Sequence, residues 1–479
     1  MLFNSYEYIL AFLPISFILY WLLMRLNYVK TARLWLVAAS FYFYGWWDVR
    51  YVPLLASSTL FNYAVGVWLA GKASRQESAE AGTTPGAARR SDSPGFRKLV
   101  LGLGIAANLI LLGYYKYMDF FIVNLNALWG TSWDLLGLVL PIGISFYTFT
   151  QIAYLVDAYQ GEVRENSLLN YSLFVVFFPQ LIAGPILHHR EMMPQFSDPA
   201  NYRLNSRNIA LGITIFVAGL VKKVVIADTL APIANYGFDE ATSLTLVEGW
   251  MTSLAYTFQL YFDFSGYTDM AIGAALLFNI RLPFNFDSPY KSLNIQVFWR
   301  RWHMTLGRFL MRYVYIPLGG NRRGRLRTYF NLLATFLIGG FWHGAGWTFV
   351  FWGFLHGMAL VIHRIWMTLN IRMPKLLAWF LTFQFVNASW VFFRAREWED
   401  ALKVLRGMVN FESIGLRSVD LSSAALIAAV FLLAVAFRNT NQLQERFRPN
   451  VVLAGAVATG AVYALIQMNR ISEFLYFNF

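Results

Sequence analysis

Thr328-Tyr-Phe-Asn-Leu-Leu-Ala-Thr-Phe-Leu-Ile-Gly-Gly-Phe-Trp-His343-Gly-Ala-Gly-Trp-Thr-Phe-Val-Phe-Trp-Gly-Phe-Leu-His356-Gly-Met-Ala-Leu-Val-Ile-His363 contains no Asp, Glu, Lys or Arg. A helix crosses the hydrocarbon layer with about 17–25 apolar residues, so this run is long enough for two. Gly339-Gly340 and Gly344-Ala345-Gly346 make its centre a natural junction. A histidine at such a junction can protrude into a cavity, where a neutral imidazole can take a proton from a hydroxyl.

Working outward, charge-free runs recur at Tyr8–Met24, Tyr51–Gly71, Leu99–Tyr115, Leu135–Val156, Asn166–His189, Leu376–Phe393, Leu421–Phe437 and Pro449–Asn469. Shorter ones cover Leu34–Trp47, Ile209–Val221 and Gly249–Phe262. The 479 residues are 57% hydrophobic and only 14% charged, whereas a soluble domain needs charge at roughly a quarter of its positions. The runs lack the dyad alternation of a membrane barrel. The expected fold is therefore all-α and polytopic, with about 11–13 spans plus re-entrant or amphipathic helices. Residues 1–479 are expected to form a single membrane-embedded domain, with residues 400–479 supplying C-terminal spans.

Arg25, Lys30 and Arg33 follow the first run, and Lys72, Arg75, Arg89, Arg90, Arg97 and Lys98 follow the third. The positive-inside rule makes both loops cytoplasmic and puts the N-terminus outside. Residues 72–97, rich in Ala, Gly, Ser and Thr, read as a flexible cytoplasmic loop. The net charge of +13 suits an anionic leaflet or a polyanionic cofactor. With no Cys, thiolate metal sites and a cysteine-bound acyl intermediate are excluded.

Polar groups concentrate in the middle. In Gln259-Leu-Tyr-Phe-Asp263-Phe-Ser-Gly-Tyr267-Thr-Asp269, the spacing puts Gln259, Asp263 and Tyr267 on one helical face. A carboxylate at membrane depth marks a functional site unless it is paired. The plain alternative pairs Asp263 and Asp269 with arginines of the following segment. Ser265-Gly266 is a candidate helix break. From Arg300 to Arg327, eight arginines alternate with aromatics and end in Gly-Gly-Asn-Arg-Arg-Gly, a pattern for an amphipathic or re-entrant helix and a turn. The stretch Arg322–Arg327 suits lipid headgroups, while Arg300 and Arg301 flank His303 and suit an anionic ligand. No Asp or Glu occurs between Ser288 and Arg396. His188-His189 is not expected to bind metal, because adjacent histidines on a helix point to different faces.

Phe178-Pro-Gln-Leu-Ile-Ala-Gly-Pro-Ile186, Gln259 to Gly273, Phe298-Trp-Arg-Arg-Trp-His303, Tyr315-Ile-Pro-Leu-Gly-Gly-Asn-Arg322 and Trp342-His-Gly-Ala with Trp352-Gly-Phe-Leu-His-Gly357 together resemble the membrane-bound O-acyltransferase family. The likeness is strongest to its bacterial polysaccharide O-acetyltransferases, the alginate acetylation subunit among them, and covers roughly residues 1–395. It implies His343 as the catalytic residue and His303 as the second family position. Relatives often read Phe-Leu-Arg-Asp-Tyr where this chain has Phe309-Leu-Met-Arg312-Tyr, so an acid is missing here.

The resemblance implies acetyl transfer from a cytoplasmic thioester, acetyl-CoA or a similar donor, with no tightly bound cofactor. The acceptor would be an exopolysaccharide or cell-wall glycan (alginate, cellulose and peptidoglycan all qualify), reached through a periplasmic acetyl-relay protein from the inner membrane. Nucleic acid is not an expected partner. His343 would be general base or transient acyl carrier, and His303 would orient the donor carbonyl or stabilise the oxyanion, aided by Arg300 or Arg301. Trp302 and Trp342 would line the site; Asp263, Tyr267 or a backbone carbonyl would orient His343. The competing reading is a multi-pass transporter or channel for a small anion, in which buried Asp, Arg and His are also expected. The missing internal repeat weighs against it.

Overall fold

The structure is a computed structural model that describes residues 1–80, 94–163, 165–415, 420–468 and 475. Helices are its only regular elements, and no strand occurs among the described residues. Among the described residues, six helices are long and apolar enough to cross a membrane: Glu7–Arg25, Val49–Gly71, Gly95–Lys116, Ser206–Glu240, Trp347–Thr368 and Lys375–Arg394. Leu421–Ala436 and Val451–Gln467 are shorter apolar helices. Leu10, Ile18, Ile110 and Val452 leave apolar side chains exposed, as lipid-facing helices do. The chain is an all-α, multi-pass membrane protein.

Several of the charge-free runs do not fold as one continuous helix. Asn166–His189 folds as the nine-residue helix Leu168–Val176 and then as turns. Proline at 179 and 185 disfavours helix at the preceding residue and cannot donate a backbone N–H. Leu135–Val156 starts in irregular backbone and becomes helical only over Ile144–Tyr159. In contrast, the opening stretch forms the two expected helices, Arg325–His343 and Trp347–Thr368, around Gly344–Gly346. The helix Val52–Glu80 takes in the first part of the loop expected over 72–97, and 81–93 lie outside the described residues.

The chain clusters into two compact units. The first comprises Met1–Gly212 with Ala271–Pro283. Here amides tie helices together within an apolar interior: Asn62 bonds Gln151 and Asn108, and Ser58 donates to Gln151. Such bonds across helices avoid leaving polar groups unmatched where water is scarce. Arg97 donates to the Tyr159 carbonyl (2.8 Å), and Arg33 to Asn170 (3.1 Å).

The second unit comprises Ile213–Met270 and Phe284–Phe479. The helix Leu246–Leu276 runs through Ser265-Gly266 without a break, contrary to the expected interruption. Gly266 serves close approach instead. A Cβ there would lie 2.7 Å from the Gly219 carbonyl oxygen, so the two helices meet backbone to backbone. The same device joins the hairpin, where a Cβ on Gly353 would lie 2.4 Å from the Phe336 carbonyl oxygen. The arginine-rich segment is broken into Ile295–Trp299, Met304–Leu310 and the wider-wound Met311–Tyr315. Its Gly-rich end turns through Gly319, Gly320 and Gly324, all at positive φ.

Candidate active site

The site is built inside the second unit from two Trp-His pairs. His343 ends the helix Arg325–His343, and the chain turns at once into extended backbone at Gly344 (φ −158°). A Cβ on Gly344 would strike the Phe349 ring at 2.2 Å, so glycine lets the hairpin close tightly beside the imidazole. His303 precedes Met304–Leu310 in the left-handed region, at φ 43° and ψ 53°. That backbone costs a non-glycine residue on the order of 1–3 kcal/mol and persists only where the surroundings enforce it.

Both rings are buried, 1% exposed for His303 and 4% for His343. Their centroids lie 6.3 Å apart. That separation is about two hydrogen-bond lengths of roughly 3 Å, so one reacting atom can be within reach of both. The walls are aromatic. Trp342, Trp352 and Phe393 stand edge-on to His343 at 4.9, 5.2 and 5.1 Å, and Phe264 stands edge-on to His303 at 4.8 Å. His303, in a turn outside the long spanning helices, has its pKa pushed down to about 3 by burial.

Asn285 holds His303 in place, a role the sequence did not reveal. Its side-chain oxygen accepts from the Thr305 N–H (3.1 Å) and hydroxyl (2.7 Å) and lies 3.4 Å from His303 Nδ1. The backbone reinforces this: Met304 N–H donates to the Asn285 carbonyl (3.0 Å), and Asp287 N–H to that of Arg301 (2.9 Å). Because the Thr305 N–H can only donate, the Asn285 atom is an oxygen, and His303 Nδ1 is its donor. The neutral ring then presents Nε2 as a lone pair. This tautomer suits accepting a substrate N–H or O–H, and does not suit the expected donation to an oxyanion.

The remaining predicted residues distribute as follows. Trp302 is a packing wedge, 4.8 Å from Trp390 and 5.0 Å from Phe286. Arg301 is half-buried and Arg300 is exposed, in contrast to the enclosed imidazoles. Gln259 and Tyr267 are buried. Asp263 is committed elsewhere: Lys223 Nζ lies 2.7 Å from it and 2.8 Å from Asp228, and the Leu475 N–H also reaches Asp263. Lys222 pairs with Asp269 at 2.6 Å. The counter-ions are thus lysines of the preceding wide-wound segment Val221–Ala227, not arginines of the following one. The sequence pointed the wrong way because helix pairing across the chain is not readable from local spacing.

His356 is buried close to these walls and has a structural part. Trp299 donates its indole N–H to Nδ1 (3.2 Å), leaving the ring proton on Nε2, 2.9 Å from the Ser389 hydroxyl, which itself donates to the Val386 carbonyl (2.8 Å).

In the first unit, His188 and His189 overturn their expected divergence. His188 caps the helix His189–Ser197 from extended backbone (φ −96°, ψ 135°) rather than lying within it. Helical spacing therefore does not apply, and both rings turn to Asp157, at 2.8 and 3.1 Å.

Comparison with known proteins agrees with the motifs. Residues 157–394 match the membrane-bound O-acyltransferase family. The chain is 51% identical over 448 residues to a peptidoglycan O-acetyltransferase of Helicobacter pylori, covering 87% of this chain and 81% of that protein. It is 40% identical over 419 residues to a protein named probable alginate O-acetylase in Pseudomonas aeruginosa, covering 86% and 75%. A teichoic acid D-alanyltransferase of Streptococcus thermophilus is 26% identical over 283 residues, covering 53% and 68%. An enclosed imidazole pair on Trp-His motifs and relatives matched over most of their length lead to one conclusion: this chain is an acyltransferase that belongs to the membrane-bound O-acyltransferase family.

Proposed function

We propose that the protein transfers acetyl from acetyl-CoA, or a similar cytoplasmic thioester, to an acceptor hydroxyl on the periplasmic side of the bacterial inner membrane, with its N-terminus periplasmic. The observation that carries this reading is the 6.3 Å pairing of His303 and His343 inside aromatic walls. His343 takes the proton of the attacking hydroxyl while its oxygen attacks the thioester carbonyl. The C–S bond then breaks, and the departing thiolate takes the proton back from the imidazolium. His303 Nε2 accepts a hydrogen bond from the substrate and fixes its position. Arg300 and Arg301 are left for the donor's phosphates, which a guanidinium can bind bidentately.

The final acceptor is a glycan, reached through a periplasmic relay protein. The 51% identity to a protein named for peptidoglycan makes that polymer the first acceptor to test. Purified protein with its partner and labelled acetyl-CoA should transfer label, and His343→Ala should insert and fold yet transfer nothing. Transfer that survives in His343→Ala would refute the assignment. Movement of a small anion with both histidines replaced would favour a transporter.

A further inference from the structure

We infer that Asp157, His188 and His189 form a binding site for a divalent transition-metal ion of the zinc type, built from residues that take no part in acyl transfer. The cluster offers one carboxylate and two imidazoles, and one donor atom from each lies within 4.8 Å of the others. Two nitrogens and an oxygen are a donor set that zinc takes, leaving a fourth position for water. Zinc–ligand bonds of about 2.0–2.2 Å place tetrahedral donors roughly 3.3 Å apart. The two Asp157–imidazole spacings, 2.8 and 3.1 Å, need to shift only by tenths of an ångström. Donors as far as 4.8 Å apart must close by about 1.5 Å, a movement that rotation of the partly exposed His188 side chain supplies.

Three features favour an ion over hydrogen bonds alone. First, both imidazoles converge on the same Asp157 oxygen, Oδ2, which concentrates two ring nitrogens on one point. Second, the carboxylate is wholly buried at the end of an apolar helix, where an ionised group requires compensating charge. Third, His189 points Nδ1 at that oxygen while Nε2 lies 3.4 Å from the Glu162 carbonyl. A metal-bound histidine commonly donates its other N–H to such a carbonyl, which fixes the ring. His188 contributes Nε2; coordination there puts the ring proton on Nδ1, which then gives up the long contact from the Arg190 N–H (3.3 Å). Its side chain, 18% exposed, provides the entry route. Occupied, the site would cross-link the end of Ile144–Tyr159 to the start of His189–Ser197.

The test uses full-length protein purified in detergent through a histidine-free tag, stripped with chelator and titrated with Zn2+ by calorimetry. Cobalt(II) substitution supplies a spectroscopic readout. One Zn2+ per chain is expected. His188→Ala, at a helix cap rather than in a span, should weaken binding by at least about 100-fold, at the upper end of what second-shell losses alone produce. His188→Cys restores a zinc ligand and should recover binding. Since the chain has no other Cys, a thiolate-to-cobalt charge-transfer band in this variant would locate the ion. Absence of micromolar binding by the wild type, or equal binding by wild type and His188→Ala, overturns the site. The cluster is then a carboxylate–imidazole hydrogen-bond network only. None of these readouts depends on acetyl transfer.

Discussion

Replacing Asn285 with Ala tests whether the geometry of His303 matters for turnover. The substitution removes one oxygen that serves three donors: Thr305 N–H, the Thr305 hydroxyl and His303 Nδ1. A buried donor left unsatisfied costs about 1–3 kcal/mol. The hydroxyl can rotate to another acceptor, but the backbone N–H cannot, and the 3.4 Å contact from His303 is weak. The expected loss of stability is therefore about 2–4 kcal/mol, below the simple sum of three bonds. Catalysis should suffer separately. Once the oxygen is gone, the ring is no longer tied to one tautomer, and the left-handed backbone at His303 loses a clamp. Misplacement of a reacting group by about 1 Å can reduce rate on the order of 100-fold.

Thermal unfolding in detergent and single-turnover acetyl transfer would separate these effects, with Thr305→Val as the control. That variant removes only the hydroxyl donor, so it should lose some stability and retain most turnover. Asn285→Ala should show kcat reduced about 10–100-fold at saturating donor, with little change in KM. A folded Asn285→Ala enzyme with kcat within about twofold of wild type would refute the argument, because His303 would then be positioned by something else or be irrelevant to the reaction.

Lys223→Met should destabilise the protein by about 3–5 kcal/mol, since it strands Asp263, itself 1% exposed, without its counter-ion. Lys223→Met combined with Asp263→Leu should recover part of that loss in chemical denaturation, since Asp228 still lacks its lysine; no recovery would show that stranding Asp263 is not the source of the loss. Gly353→Ala should destabilise by about 1–3 kcal/mol and lower transfer, because its Cβ would lie 2.4 Å from the Phe336 carbonyl oxygen and push the His343 hairpin apart. Unchanged melting temperature and activity would mean that the hairpin tolerates separation.

What the sequence made legible follows physical rules that act locally. The run from Thr328 to His363 announced two helices because charge is excluded from lipid and glycine marks the turn, and both helices formed. The two Trp-His pairs were legible as well, and the structure brings His303 and His343 together. Pairings between segments far apart in the chain were not legible. Asn285 looks like an ordinary loop polar residue until the fold carries it to Thr305, and Lys223 lies in a segment where pairing with Asp263 depends on how two helices pack. Gly266 shows the same limit from the other direction. Local propensity reads glycine as a breaker, yet the Gly219 backbone opposite it makes glycine the residue that lets the helix continue.

The divided roles of the buried polar residues explain why a membrane interior can carry so many of them. Asp263 and Asp269 are balanced by adjacent lysines, and the His356 ring is satisfied on both nitrogens by Trp299 and Ser389. These groups fix helix packing at the cost of chemical reactivity, since each reactive atom already has a partner of matching charge or hydrogen-bonding type. His303 and His343 also have aromatic edges as walls, and Trp352 stands against both His343 and His356. Aromatic edges pack an imidazole without themselves competing for its nitrogens, whereas a hydrogen-bonding side chain in their place would compete with the substrate. On that argument, replacing Phe393 with a hydrogen-bonding residue would quench His343 more than a change to Leu, although both alter the packing. Measured transfer should fall further in Phe393→Asn than in Phe393→Leu at matched stability; the reverse order would show that the aromatic walls serve packing alone.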